Sequence, residues 1–173
     1  MKNSLAILSL AMAFSACQQS SNYTQQSPEI ETVKAVFDAY EAGDFEGQRI
    51  YYAENAQIFY NTPESKPSTL DQILTQQQAD LEGISAYSID FTDDAIEMVT
   101  TDKGETWVNV WAEWKATMTA TGQQFVIPMH ETFQFVDGKI VKEFGYWDNS
   151  PIMQAFMEYE MSQKATADTT AQQ

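Results

Sequence analysis

Residues 128–149 constrain the fold more than any other stretch of the chain. Two runs of alternating apolar and polar residues flank Asp137-Gly138, a pair that tolerates positive φ at both central positions of a two-residue hairpin turn. The domain must therefore contain an antiparallel sheet with a face to bury. The same stretch holds the only histidine, His130, with Glu131 beside it and Tyr146, Trp147 and Asp148 at the far end of the second strand. If the chain has a polar site, this is where to look for it.

Upstream, the pattern changes from strand to helix. Ser27-Pro28-Glu29 has the form of a helix start, with a capping serine, a proline preset for the first turn and acidic residues at the positive helix end. Ile30, Val33, Phe37 and Tyr40 then recur on one helical face until Gly43. A short helix over 44–52 and a strand over 56–60 follow, the latter with Ile58 and Tyr60 on one side and Phe59 on the other. Ser68-Thr69-Leu70-Asp71 has capping-box spacing and opens a helix carrying Leu70, Ile73, Leu74 and Leu81.

From Ile84 the period becomes two, with Asp93-Asp94 marking a bulge or bend. A long strand over 105–120 puts Val108, Val110, Ala112, Trp114 and Ala116 on one face, and Trp107, Asn109, Trp111, Glu113 and Lys115 on the other. The first set is the better core. Residues 151–161 suit a terminal helix with Ile152, Met153, Phe156 and Met157, and residues 162–173 read as a disordered polar tail. Helices first and a run of antiparallel strands afterwards define an α+β domain over residues 28–161, with the helices on one face of a curved sheet.

The 173 residues suffice for one domain with a real core. A formal net charge of −16 repels phosphate backbones, so nucleic acid is not an expected partner. With one histidine and one cysteine, the common His/Cys metal sites are not expected, nor is a calcium loop, a glycine-rich phosphate loop or a nucleophile elbow. No cofactor is implied.

Residues 1–17 read as a targeting segment, with Lys2 followed by an apolar run too short to span a bilayer. The run ends in Phe14-Ser15-Ala16-Cys17, which resembles a bacterial lipobox, although Phe14 replaces the usual leucine. The resemblance implies that Cys17 carries lipid and becomes the mature N-terminus. A free thiol, an intermolecular disulfide or loss with an ordinary signal peptide are the other fates open to a lone cysteine. Residues 18–27 then form a polar tether, and Gln18 in place of aspartate points by resemblance to the periplasmic face of an outer membrane. The expected link to the membrane is this lipid alone.

With this order of elements, residues 29–156 resemble the nuclear transport factor 2-like superfamily, including its SnoaL-like and ketosteroid isomerase-like branches. The residues that carry the resemblance are Tyr40-Glu41-Ala42-Gly43-Asp44 at the end of the first helix, Tyr52-Ala53-Glu54-Asn55-Ala56, and the hairpin from Phe133 through Asp137-Gly138 to Ile140. The resemblance implies a cone in which a strongly bent sheet wraps a long helix and leaves a pocket, and frequent homodimerisation through the outer sheet face. By spacing, the isomerase branch's oxyanion tyrosine falls at Val36, its aspartate base near Tyr60 and its protonated aspartic acid at Glu131. Only Glu131 keeps a carboxyl, which argues against steroid isomerisation.

Strand parity turns Glu131 inward with Phe133 and Phe135 and His130 outward, unless a bulge at Pro128 exchanges them. An inward His130 or Glu131 would be the catalytic proton-transfer group of a cofactor-free isomerase, cyclase or hydratase. The bland readings are a surface or interface histidine, and a glutamate paired with Lys115, Lys139 or a backbone donor. Tyr40, Tyr60, Trp107, Trp111, Tyr146 and Asp148 are the candidate ligand-binding residues. Trp107 and Trp111 suit a dimer interface equally well, and Asp148 suits a cap before Ser150-Pro151. The leading expectation is a lipid-anchored envelope protein that binds a small, partly apolar or carbonyl-containing ligand or acts as a homodimeric module. The enzyme is the alternative.

Overall fold

The computed structural model describes residues 22–171; Cys17, the targeting segment and the first part of the tether lie outside them. The element order is β1 (Tyr23–Thr24), α1 (Pro28–Glu41), a 3-10 turn (Glu46–Tyr51), β2 (Tyr52–Tyr60), α2 (Leu70–Asp80), β3 (Ile84–Asp90), a 3-10 turn (Asp93–Ala95), β4 (Ile96–Thr100), β5 (Thr106–Met118), β6 (Gln124–Val136), β7 (Lys139–Trp147) and α3 (Ser150–Ala171). Seven strands form one curved, unclosed mixed sheet in the order β1-β4-β5-β6-β7-β2, with β3 also paired to β5. Among the described strands only β2 and β7 run parallel; the other pairs are antiparallel. The α+β domain with a curved sheet predicted by the order of elements is the architecture observed, and it is consistent with the cone that the resemblance implies.

Helix α1 forms as its sequence demands. The Ser27 hydroxyl accepts from the Ile30 amide at 3.2 Å, Pro28 occupies the first turn, and Gly43 takes a φ of +69° just beyond the end. The apolar stripe Ile30, Val33, Val36 and Phe37 is buried against Ile58, Val108, Val110, Phe133 and Ile140. Phe37 and Phe133 meet edge to face with centroids 6.1 Å apart.

Four local expectations shift. The capping box of α2 is Thr69 with Gln72, reciprocally bonded at 3.3 and 2.9 Å, one residue later than predicted. Ser68 is held extended, because its amide and carbonyl both bond to Ile58. At Asp93-Asp94 the strand does not merely bend but splits, and its halves pair with different stretches of β5: β4 with Thr106 to Val110 and β3 with Glu113 to Met118. Part of the tether is also ordered, since Tyr23 and Thr24 pair with Val99 and Met98 on the free edge of β4. Backbone groups at an edge pair whatever the side chains. Finally, α3 continues beyond Met161 to Ala171 through residues predicted as tail. Ala165 and Lys164 are good helix formers, and the helix needs no buried face to propagate.

The first turns of α3 seat Ile152, Ala155, Phe156 and Tyr159 on Met118 and Phe125. This second, smaller cluster closes over one end of the cone. No helix among the described residues is long and apolar enough to cross a membrane.

Candidate active site

A cavity of about 390 Å³ lies between the inner sheet face, α1, α2 and the start of α3. Its walls are Val36, Phe37, Ile73, Ile127, Met129 and Phe156, with the rings of Tyr40, Tyr60, Trp114 and Trp147 among them. Three buried polar side chains reach it: Gln48, Glu131 and Glu143, at 0, 5 and 1 % exposure.

Glu131 reaches it because β6 keeps its alternation. The β5–β6 register runs without a shift from Thr106–Phe135 to Thr117–Gln124, straight through Glu113–Pro128. Pro128 therefore causes no bulge, and Glu131 points inward with Phe133 and Phe135. His130 points outward, where its Nδ1 lies 3.0 Å from the Val110 carbonyl and its ring lies against that of Trp111, centroids 4.8 Å apart. This geometry removes His130 from any chemistry in the cavity.

Glu143 reaches it because β7 breaks its alternation. Phe135 pairs with Ile140, but Gln134 pairs with Lys142, leaving Val141 as an extra residue. Such a bulge reverses the parity of everything after it. Glu143, Gly145 and Trp147 turn inward, whereas Phe144 and Tyr146 turn outward. Simple alternation from the hairpin turn groups Phe144 and Tyr146 with Ile140, and so hides Glu143.

The two glutamates sit diagonally on adjacent strands, since Phe133 opposes Glu143 and Glu131 opposes Gly145. The absence of a side chain at position 145 brings the aromatic wall close. A Cβ there would come within 2.4 Å of Trp147 Cζ3 and 2.8 Å of Tyr60 Cδ1. Tyr60 Oη donates to Glu143 Oε1 at 2.5 Å and Tyr52 Oη donates to Glu143 Oε2 at 2.7 Å.

Burial pushes the Glu143 carboxyl up to about 7, and the two tyrosine hydrogen bonds restrain the rise by stabilising the carboxylate. Glu131 is raised well above the ordinary glutamate range, by burial and then by the charge of Glu143. Burial likewise raises Tyr40, Tyr52 and Tyr60, and holds all three as neutral hydroxyls. The site thus pairs a carboxyl poised near neutrality with one that keeps its proton, an arrangement suited to general base and hydrogen-bonding acid respectively.

Of the residues predicted to bind or act, Tyr40, Tyr60 and Glu131 come together at the cavity. Tyr40 Oη accepts from Trp114 Nε1 at 3.1 Å, which keeps its own proton available. Trp107, Trp111 and Tyr146 lie on the outer face, where the cavity cannot be reached; Trp111 and Tyr146 are each 50 % exposed. Asp148 is a cap, accepting from the Ser150 amide at 2.9 Å, and hydrogen bonding from the Ser150 side chain and then its backbone holds the carboxyl below the usual range. Sequence reasoning missed Glu143, Tyr52 and Gln48. The available signal was Gly145, since a glycine inside a strand marks a bulge or a close approach. Among the described residues no cluster of three or more His, Cys, Asp or Glu side chains could hold a metal ion.

The comparisons with known proteins agree with this architecture. The family model for the SnoaL-like domain matches residues 33–143, and the chain belongs to that family, within the nuclear transport factor 2-like superfamily. IdmH from Streptomyces antibioticus, described as a candidate polyketide cyclase, is similar over 72 % of this chain and 94 % of its own, at 22 % identity and a TM-score of 0.57. AclR from Streptomyces galilaeus, described as a candidate hydroxylase, is similar over 75 and 96 % at 16 % identity, with a TM-score of 0.61. A candidate SnoaL-like polyketide cyclase from Jannaschia is similar over 74 and 90 % at 16 % identity, with a TM-score of 0.55. These likenesses are of fold. No curated protein sequence matches the chain.

Proposed function

We propose that the protein catalyses cofactor-free proton transfer on a small carbonyl compound with an apolar body, in an isomerisation or cyclisation. The observation that carries this reading is the Glu131–Glu143 pair inside the cavity, with Tyr60 bridging from the wall to Glu143. The family resemblance expects a carboxylate base near position 60, where this chain has tyrosine. Glu143 supplies a carboxylate in that same corner from a different strand.

In this mechanism the ionised Glu143 removes a proton from the carbon next to the carbonyl. Protonated Glu131 donates a hydrogen bond to the carbonyl oxygen as negative charge develops on it, and the low-polarity walls strengthen that bond. The enolate is then reprotonated elsewhere by Glu143-H, or closes a ring by attacking a second carbonyl, whose π bond breaks and whose oxygen takes the proton back from Glu143-H. Names given to fold relatives, polyketide cyclase among them, suit this class of chemistry.

The test is deuterium incorporation next to the carbonyl of 2-tetralone in D2O, followed by NMR. Glu143→Gln is expected to slow exchange by about 100-fold or more, within the usual worth of a positioned general base. Exchange by the variant at the wild-type rate would refute the role.

We further propose that the protein is a lipid-anchored homodimer in a bacterial envelope, on the periplasmic face of the outer membrane. Lipidation is supported by the lipobox-like run ending at Cys17. Dimerisation is supported by the exposed aromatic strip of Trp111 and Tyr146 around His130, on one face of three adjacent strands. Cys17→Ser should release the protein from membranes on fractionation; a variant that stays with the membrane would contradict the anchor.

A further inference from the structure

The charges and acceptors of the cavity are one-sided. It is lined by four carboxyl groups, Asp80, Glu82, Glu131 and Glu143, and among its described lining residues there is no lysine, arginine or histidine. An anionic ligand entering it would be desolvated against like charge with no compensating cation.

A separate observation concerns Gln48. Its side chain is fully buried, it lines the cavity, and its Nε2 donates to Gln77 Oε1 at 2.9 Å. Its Oε1 is a buried acceptor without a partner among the described residues. Buried acceptors of this kind are uncommon and costly, and this one needs a donor from whatever occupies the space. Glu143 also retains acceptor capacity, because each carboxylate oxygen carries a second lone pair beyond its tyrosine bond. Tyr40, Tyr60, Trp114 and Trp147 supply ring faces and edges around the same space, and aromatic faces attract cations.

We propose that the cavity selects an organic cation, an apolar body bearing a protonated amine whose N–H groups donate to Gln48 Oε1 and whose charge lies against the Glu131–Glu143 pair. The proposal rests on the reading of this cavity as the ligand site, and narrows its substrate to an amine-bearing carbonyl compound. The net charge of −16 acts in the same direction at long range, by concentrating cations near the surface.

The test uses the full chain in detergent micelles, titrated calorimetrically at neutral pH with benzylamine, benzyl alcohol and benzoate against blank micelles. The three share one apolar body and differ in charge. Benzylamine, as its ammonium ion, is expected to bind saturably and at least about tenfold tighter than benzyl alcohol, a difference of about 1.4 kcal/mol, and benzoate not at all. Glu143→Gln should weaken the amine by about 30-fold or more and leave the alcohol within about twofold, as fits loss of one partner of a buried charge pair. Gln48→Met, which removes the acceptor at similar volume, should weaken both several-fold.

Alcohol or benzoate binding as tightly as the amine would overturn the charge selection while leaving the cavity as a ligand site. Amine binding unchanged in both variants would overturn it too, by locating the ammonium elsewhere. Absence of saturable binding by all three would overturn both the selection and the site. The wild-type affinity ratio needs no variant to fold.

Discussion

Glu131 and His130 are consecutive residues of one strand and occupy opposite environments. The inner face of β5, β6 and β7 carries Val108, Val110, Phe133 and Ile140 at 0 % exposure, together with two nearly inaccessible glutamates. The outer face of the same strands carries Trp111 and Tyr146, each half exposed, and the partly covered Trp107 and His130, beside a stacked Phe59–Phe144 pair with centroids 4.6 Å apart. Residue type alone would assign the chemistry to the face with the histidine. Burial assigns it to the other, because desolvation changes how a carboxyl holds its proton.

The contrast can be broken most strongly from within the core. Phe133→Ala removes a fully buried ring that α1 packs against, and should cost about 3 to 5 kcal/mol, read as a lower urea midpoint with an unchanged slope. A loss below about 1 kcal/mol would mean that the inner face is not the packed core it appears.

The next effect is on pH dependence. Glu143 holds its proton up to about pH 7 in the folded chain, against 4.5 as the ordinary value. Between those two values the folded state carries the extra proton, so the stability due to this group is full below 4.5 and is lost as pH rises through 7. The shift corresponds to about 3 kcal/mol. Urea unfolding of wild type and Glu143→Gln from acid to mildly alkaline pH should show the wild type losing that much relative to the variant. Parallel pH profiles would mean that the glutamate is not held in a low-polarity site.

The smallest effect on stability belongs to the outer face. Trp111→Ala should change the unfolding free energy by about 0.5 kcal/mol or less for the isolated subunit and leave 2-tetralone exchange intact. Light scattering on the same variant should show dissociation to monomers. A persisting dimer would move the interface away from this strip.

Much of the fold was legible because local physics and global fold agree. Ser27-Pro28 starts α1 and Gly43 ends it, Asp137-Gly138 turns the hairpin, with φ of +51° and +75°, and the alternation of β5 divides core from surface as predicted. About half of the candidate site was legible too: Tyr40, Tyr60 and Glu131 followed from helical spacing, strand parity and family position. Glu143 did not, because one extra residue at Val141 exchanges the faces of β7, and alternation counted along one strand cannot see a register shift relative to its neighbour. Gln48 and Tyr52 were hidden for a related reason, since their burial depends on α2 and β7, which are distant in sequence.

What the amino-acid sequence determined by itself was the list of elements, their order and which face of each strand or helix is apolar, since these depend on turn residues and periodicity over a few positions. Tertiary structure alone decided which polar residues share a cavity. A glutamate becomes a proton carrier only when remote strands remove its water, and that depends on pairing register, a property of two chain segments and of neither alone.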